Sequence, residues 1–178
     1  METLEREKRL REMVDRYVDF VARVLRNAGV PEAQLDDDVQ RTFITIARRL
    51  DDIRPGAEKS FLLQTALRVA AHARRTLARR REIASDEFPM LVEEFATPDK
   101  LTDQKRTRQL LDRLLDEMAP NLRTVFVLYE FEEMSTPEIA GILRIPQGTV
   151  ASRLRRARME FRERVLLLSG VTCAKVGS

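Results

Sequence analysis

Residues Ser135 to Arg158 read STPEIAGILRIPQGTVASRLRRAR, a pattern of two short helices hinged by a tight turn. Ser135 and Thr136 can cap a helix whose first helical residue is Pro137, because that position has no intrahelical partner for its amide. Ile139, Ala140 and Leu143 share one face, and Arg144-Ile145-Pro146 ends the run, since the residue before a proline is pushed out of the helical region. Gln147, Gly148 and Thr149 open a second helix with an inward stripe of Val150, Leu154, Ala157 and Phe161. A rotation of ~100° per residue puts Gly148, Thr149, Ser152, Arg155, Arg156 and Met159 on the opposite side. That outer face begins with small residues, continues with arginines, and carries no acid before Glu160. Small residues permit close approach to a surface, and the arginine fork fits guanine edges or phosphate. The pattern is that of a helix-turn-helix with its second helix in a DNA major groove. The plainer alternative is a helical hairpin with a solvated basic face; agreement between cap, turn, small residues and charge favours DNA.

The rest of the chain is consistent with an all-α protein of two small helical domains. Among 178 residues there are only 6 glycines and 7 prolines, and 43% hydrophobic residues suffice for small cores. The net charge is a modest +3 with a sequence pI near 9.3, but the basic residues are clustered. No apolar run approaches the ~20 residues needed to span a bilayer, and METLEREKRL lacks the apolar segment of a signal peptide, so a cytosolic protein without membrane insertion is expected. The lone Cys173 excludes an internal disulfide or a cysteine-rich zinc site, and the lone His72 excludes a histidine-based metal site or dyad. No catalytic residue, metal or cofactor is expected.

Glu2 to Asn27 is a long amphipathic pattern with Leu10, Val14, Tyr17, Val18, Val21, Val24 and Leu25 recurring at threes and fours, ended by Gly29 and Pro31. The charges on its first turns, among them Arg6 and Arg9, read as a solvated face. In the next helix Asp36, Asp37 and Asp38 suit the positive end of the helix dipole, and Val39, Phe43, Ile46 and Leu50 form the buried stripe. Asp37, Gln40, Arg41 and Ile44 then face outward together. A third helix, about Lys59 to Ile83, points Phe61, Leu62, Ala66, Val69, Ala73 and Leu77 inward. Arg68, His72, Arg75 and Arg79 form a separate stripe without acids to pair them, which suits a polyanion lying along it.

From 84 to 105 Asp86, Glu87, Glu93, Glu94, Asp99 and Asp103 accumulate, Pro89 and Pro98 interrupt helix, and periodicity fades, as in a flexible linker. The expected domains are therefore 1–83, the acidic linker 84–105, and 106–178. Leu110, Leu111, Leu114 and Leu115, then Leu122, Val125, Phe126 and Tyr129, are the inward positions of two supporting helices. The last helix runs from Gln147 through Leu168 before Gly170, and leaves an apolar patch at Val165 to Leu168.

STPEIAGILRIPQGTVASRLRRAR resembles region 4 of bacterial RNA polymerase sigma factors of the extracytoplasmic-function type, in the sigma-70 family, with Arg144 where that family usually has glycine. Asp37, Gln40 and Phe43 resemble the DxxQxxF pattern of sigma region 2. The resemblance implies that Asp37, Gln40, Arg41 and Ile44 dock on the clamp helices of the largest subunit of core RNA polymerase. It implies that Arg68, His72, Arg75 and Arg79 read promoter DNA at the minus-10 element. There His72 stands where asparagine is frequent, and Gln64-Thr65-Ala66 where tryptophan is common. Gln147, Gly148, Thr149, Ser152, Arg155 and Arg156 would read minus-35, with Arg153 and Arg158 flanking toward phosphates. The linker either stays soluble and extended or imitates nucleic acid in the polymerase's RNA exit path. The apolar patch either closes a small core or serves a partner such as an anti-sigma factor. The function implied is promoter-specific initiation by a protein that is not itself an enzyme. Two further readings are a one-component regulator that binds a palindromic operator as a dimer, and a helical nuclease using Asp36, Asp37 and Asp38 with a divalent metal.

Overall fold

The computed structural model describes residues 2–87 and 103–168, and the side chains of 4–80 and 103–168. Among these residues there are helices and turns but no strand. The chain divides into two compact units, 1–99 and 100–178.

The first unit contains α1 (Glu2–Asn27), α2 (Glu32–Arg48), a 3-10 turn (Leu50–Asp52) and α3 (Glu58–Glu87). α1 stops because Gly29 adopts φ 95°. Its N–H reaches the Arg26 carbonyl and that of Val30 reaches Leu25, a closure that favours a residue without Cβ. Pro31 follows as the residue before α2. Each of the three helices packs on the other two, over a core of Met13, Phe20, Val21, Val24, Leu25, Ile46, Leu50, Leu62, Leu63, Ala66 and Ala70.

Two expectations shift here. The buried arc of α2 is wider than one stripe because α2 meets both neighbours: Leu35, Asp38 and Thr42 are buried with Phe43 and Ile46, while Val39 is only half-buried. Arg6 and Arg9 are not simply solvated. Arg6 pairs with Asp51 at 3.3 Å. Arg9 donates to the Ile53 carbonyl at 2.7 Å and to Glu58 at 3.3 Å, so α1 closes the carbonyls of the 3-10 turn and fastens the start of α3. Backbone N–H donors at the start of α3, and after them Arg9, hold Glu58 below the usual carboxylate range against the opposing effect of burial.

The second unit contains α4 (Asp103–Asp116), α5 (Pro120–Glu130), α6 (Thr136–Leu143) and α7 (Gln147–Leu168). α7 packs on α5, α6 and α4. Leu115, Met118, Leu122, Phe126, Val127 and Ala157 form its core, with Leu111, Phe131 and Phe161 against it. Phe126 and Phe161 stack at 4.8 Å between centroids. Leu110, expected inward, is exposed, and Tyr129 is half-buried. Arg123, unremarked in the sequence, is buried and pairs with Asp116 at 2.5 Å.

α3 runs four residues past the boundary expected at 83, and α4 starts at Asp103, inside the expected linker. The rest of that linker, with Gly170 and Cys173, lies outside the described residues.

Candidate nucleic-acid and polymerase interfaces

The hinge in the second unit is built by caps at both of its ends. Ser135 is the residue before α6, and its N–H and hydroxyl both donate to Glu138, at 2.8 and 2.6 Å. This is a capping box, and it starts α6 at Thr136, one residue before the expected Pro137. At the other end Arg144 takes the left-handed conformation, φ 54° and ψ 46°, and the Ile145 N–H closes on the Ala140 carbonyl at 3.2 Å. Arg144 thus keeps the turn that glycine would make, at a cost in steric strain. Gln147 Nε2 donates to the Thr136 hydroxyl at 3.2 Å and ties the first turn of α7 back to α6.

That hinge buries Val150, Leu154 and Ala157 and turns Gly148, Ser152, Arg155, Arg156 and Met159 outward, with Thr149 half-buried. Ser152 donates its hydroxyl to the Thr149 carbonyl, which keeps the early part of the helix surface narrow. A Cβ built on Gly148 would meet no heavy atom within 4 Å, so the protein's own packing does not demand glycine there. Arg153 and Arg155 have no ion-pair partner among the described residues. Arg156 donates from Nε to Glu160 at 3.0 Å. Arg158, expected to flank toward phosphates, is turned to its own chain: it pairs with Glu130 at 2.6 Å and lies 4.7 Å over the Tyr129 ring. The hydrogen bond to Glu130, above all, raises its already high pKa. It ties α7 to the end of α5.

In the first unit Arg68, His72, Arg75 and Arg79 are all exposed along α3, and none of the three arginines has an ion-pair partner among the described residues. His72, Arg75, Thr76 and Arg79 line a shallow groove of about 340 Å³. A row of cations without counter-ions attracts a polyanion from a distance and keeps its hydrogen-bond donors available for it.

Asp37, Gln40, Arg41 and Ile44 are likewise exposed on α2, with Ile44 a large apolar side chain left 44% open. Beneath this rim Asp38 is 2% exposed. Its Oδ1 pairs with Arg41, and its Oδ2 accepts no hydrogen bond among the described residues. Desolvation by burial pushes the Asp38 carboxyl above its ordinary value, against the opposing pull of Arg41 and, from α3, of His72. The polar rim of α2 and the basic row of α3 are thus electrostatic neighbours. Asp36 and Asp37 face solvent while Asp38 is buried, so the three carboxylates diverge rather than converge on one ion.

Comparison with known proteins adds to this geometry. A family model for sigma-70 region 4 matches residues 108–161. The chain is 31% identical over 155 residues to the ECF RNA polymerase sigma-E factor of Escherichia coli (strain K12), covering 82% of this chain and 81% of that one. It is 27% identical over 153 residues to the ECF RNA polymerase sigma factor SigE of Mycolicibacterium smegmatis, covering 85% of this chain and spanning 60% of that relative's length. Among solved structures it is similar to CnrH in complex with the cytosolic domain of CnrY, with a TM-score of 0.65, 25% identity, and coverage of 93% of this chain and 91% of that one. The sigma factor RpoE of Bartonella quintana, solved with the anti-sigma factor NepR, shares the fold at a TM-score of 0.68 and 18% identity, covering 88% of this chain and 96% of that one.

Proposed function

This chain belongs to the extracytoplasmic-function sigma factors of the sigma-70 family, and we propose that it joins core RNA polymerase and reads a promoter at two elements with two separate basic surfaces. The dimeric one-component regulator is not favoured, because the relatives are sigma factors over most of this chain's length. Residues 1–87 act as a region 2-like domain and 103–178 as a region 4-like domain, joined through 88–102.

In the second unit α7 enters the major groove of minus-35 by its first turns. Gly148, Thr149 and Ser152 allow the approach, Arg155 and Arg156 reach base edges, and Gln147 and Arg153 reach the backbone. Arg158 assists from behind by holding α7 against α5. In the first unit Arg68, Arg75 and Arg79 neutralise phosphates at minus-10, and His72 stacks on or hydrogen-bonds to an unpaired base. Asp37, Gln40, Arg41 and Ile44 dock on the clamp helices of the polymerase's largest subunit. Their mixture of charge around one apolar contact suits a protein partner. The polymerase performs the phosphoryl transfer, and the site of action is the cytoplasm. A partner of the anti-sigma class fits the exposed Met159, Val165, Leu167 and Leu168 of α7, as the Bartonella quintana relative was solved with such a factor.

The observation that carries this reading is the row of three exposed arginines on α3 with no counter-ion among the described residues. The test is co-purification of the full chain with core polymerase at low salt, followed by mapping of transcript starts. Discrete starts that require the chain support it; failure to bind core overturns it.

A further inference from the structure

The acid that closes the basic face of α7 is not idle. Glu160 accepts from Arg156 Nε at 3.0 Å through one oxygen and from Arg164 Nη1 at 3.4 Å through the other. Arg164 is fixed in turn on the end of α4, donating to the Glu117 carboxylate at 3.2 Å and to its backbone carbonyl at 3.0 Å. The contacts back an exposed arginine with partly buried groups: the Arg156 side chain is 73% exposed, those of Glu160 and Arg164 are 22% and 23% exposed, and the chain ends on Glu117, 66% exposed. Arg153 and Arg155 have no comparable support.

The choice of nitrogen matters. Only Nε of Arg156 is occupied, so the two terminal amino groups remain available as a fork, and that end-on fork is the edge that reads guanine O6 and N7 together. An unsupported arginine must lose its rotamer freedom when it meets a base, whereas one already fastened at Nε has lost much of it beforehand. Resting on the reading of Arg156 as a base-contacting side chain, we propose that Glu160 is a positioning residue for minus-35 specificity, buttressing Arg156 from behind while Arg164 and Glu117 hold Glu160 in place.

The proposal separates from a simple charge effect. Removing an acid from a DNA-facing helix raises affinity for every duplex alike and leaves discrimination unchanged. Removing a buttress lowers discrimination. The experiment uses the full chain assembled with core polymerase, a duplex selected by the wild-type assembly from a random-sequence library, and a scrambled counterpart. The readout is the ratio of the two affinities.

Arg156→Ala is expected to lower that ratio on the order of tenfold. Glu160→Ala should lower it roughly three- to tenfold while affinity for the scrambled duplex holds or rises, because one acid is lost and one organised contact is loosened. Glu160→Gln keeps an oxygen for Nε and should recover most of the ratio, and Glu160→Ala added to Arg156→Ala should change it no further. Arg164→Met, which frees Glu160 from behind, should act in the same direction with smaller size. Alanine is a better helix former than glutamate, so thermal melting of Glu160→Ala serves as the folding control. An unchanged ratio in Glu160→Ala, or a loss that persists undiminished without Arg156, overturns the proposal while leaving base reading by Arg156 intact. An unchanged ratio in Arg156→Ala overturns both.

Discussion

Adding one methyl group at Gly148 separates what the second unit needs to fold from what it needs to bind. A Cβ there meets no heavy atom within 4 Å, and Gly148 lies in the first turn of α7 with ordinary helical backbone. Gly148→Ala should therefore stabilise the unit by about 0.5 kcal/mol, the low end of the glycine-to-alanine range because the first turn is only partly constrained. For a unit spanning residues 100–178 this corresponds to a rise in Tm of about 2–4 °C. The same methyl points outward on the face proposed to meet the duplex. If that face touches the groove closely, the group has nowhere to go, and crowding of this kind costs about 1–3 kcal/mol, or roughly 5- to 150-fold in Kd. The assay is calorimetry of the free chain beside fluorescence anisotropy of the polymerase-bound chain on a selected minus-35 duplex. A higher Tm with weaker binding is expected. A higher Tm with unchanged binding refutes close approach by the start of α7, and a lower Tm refutes the local geometry on which the reasoning rests.

Three further outcomes are expected. Arg144 holds a left-handed turn with a Cβ, so Arg144→Gly should raise the Tm of the second unit, by relief of about 1 kcal/mol of strain; a fall in denaturant midpoint would contradict this. Changing Arg68, Arg75 and Arg79 together to glutamine, all at exposed positions, should reduce the slope of log affinity against log salt by about 2 to 3 on promoter DNA, with the circular dichroism spectrum unchanged. Asp38 has a folded-state pKa raised by burial, so its contribution to stability is full below its ordinary value of 3.8 and is lost as pH rises through the raised value. Asp38→Asn should therefore raise the Tm of the first unit at pH 7, and the gain should shrink toward pH 4; Tm curves of mutant and wild type that stay parallel across this range would contradict it.

Much of this was legible in the sequence. The helix-turn-helix declared itself through Ser135, Pro137, Pro146 and the four-three-four stripe of α7, because caps and periodicity act locally and need no partner to be recognised. The outward placement of Arg68, His72, Arg75 and Arg79, and of Asp37, Gln40, Arg41 and Ile44, followed from helical rotation alone. The misses were of another kind. Asp38 breaks the rule that carboxylates stay in water, and its burial depends on α2 packing against both α1 and α3, which no local pattern encodes. Arg9 read as a solvated cation, Arg158 as a phosphate contact and Arg123 carried no signal, yet each answers an acid or a carbonyl supplied by a different element. Glu160 could have been noticed four residues after Arg156. Its fixation by Arg164 and Glu117 joins positions 47 residues apart and needed the fold. Long side chains conceal their partners until tertiary structure brings those partners near.

That two basic surfaces hold one promoter at two places is tested most directly by hydroxyl-radical footprinting of the chain assembled with core polymerase on a mapped promoter. Permanganate reactivity should be read in the same samples to report strand opening. With arginines 68, 75 and 79 changed to glutamine, upstream protection at minus-35 should persist while downstream protection and strand opening are lost; with Arg155 and Arg156 changed to alanine, the upstream protection should go first. Loss of both protections together in the α3 variant, or of neither in both variants, would contradict two separable grips.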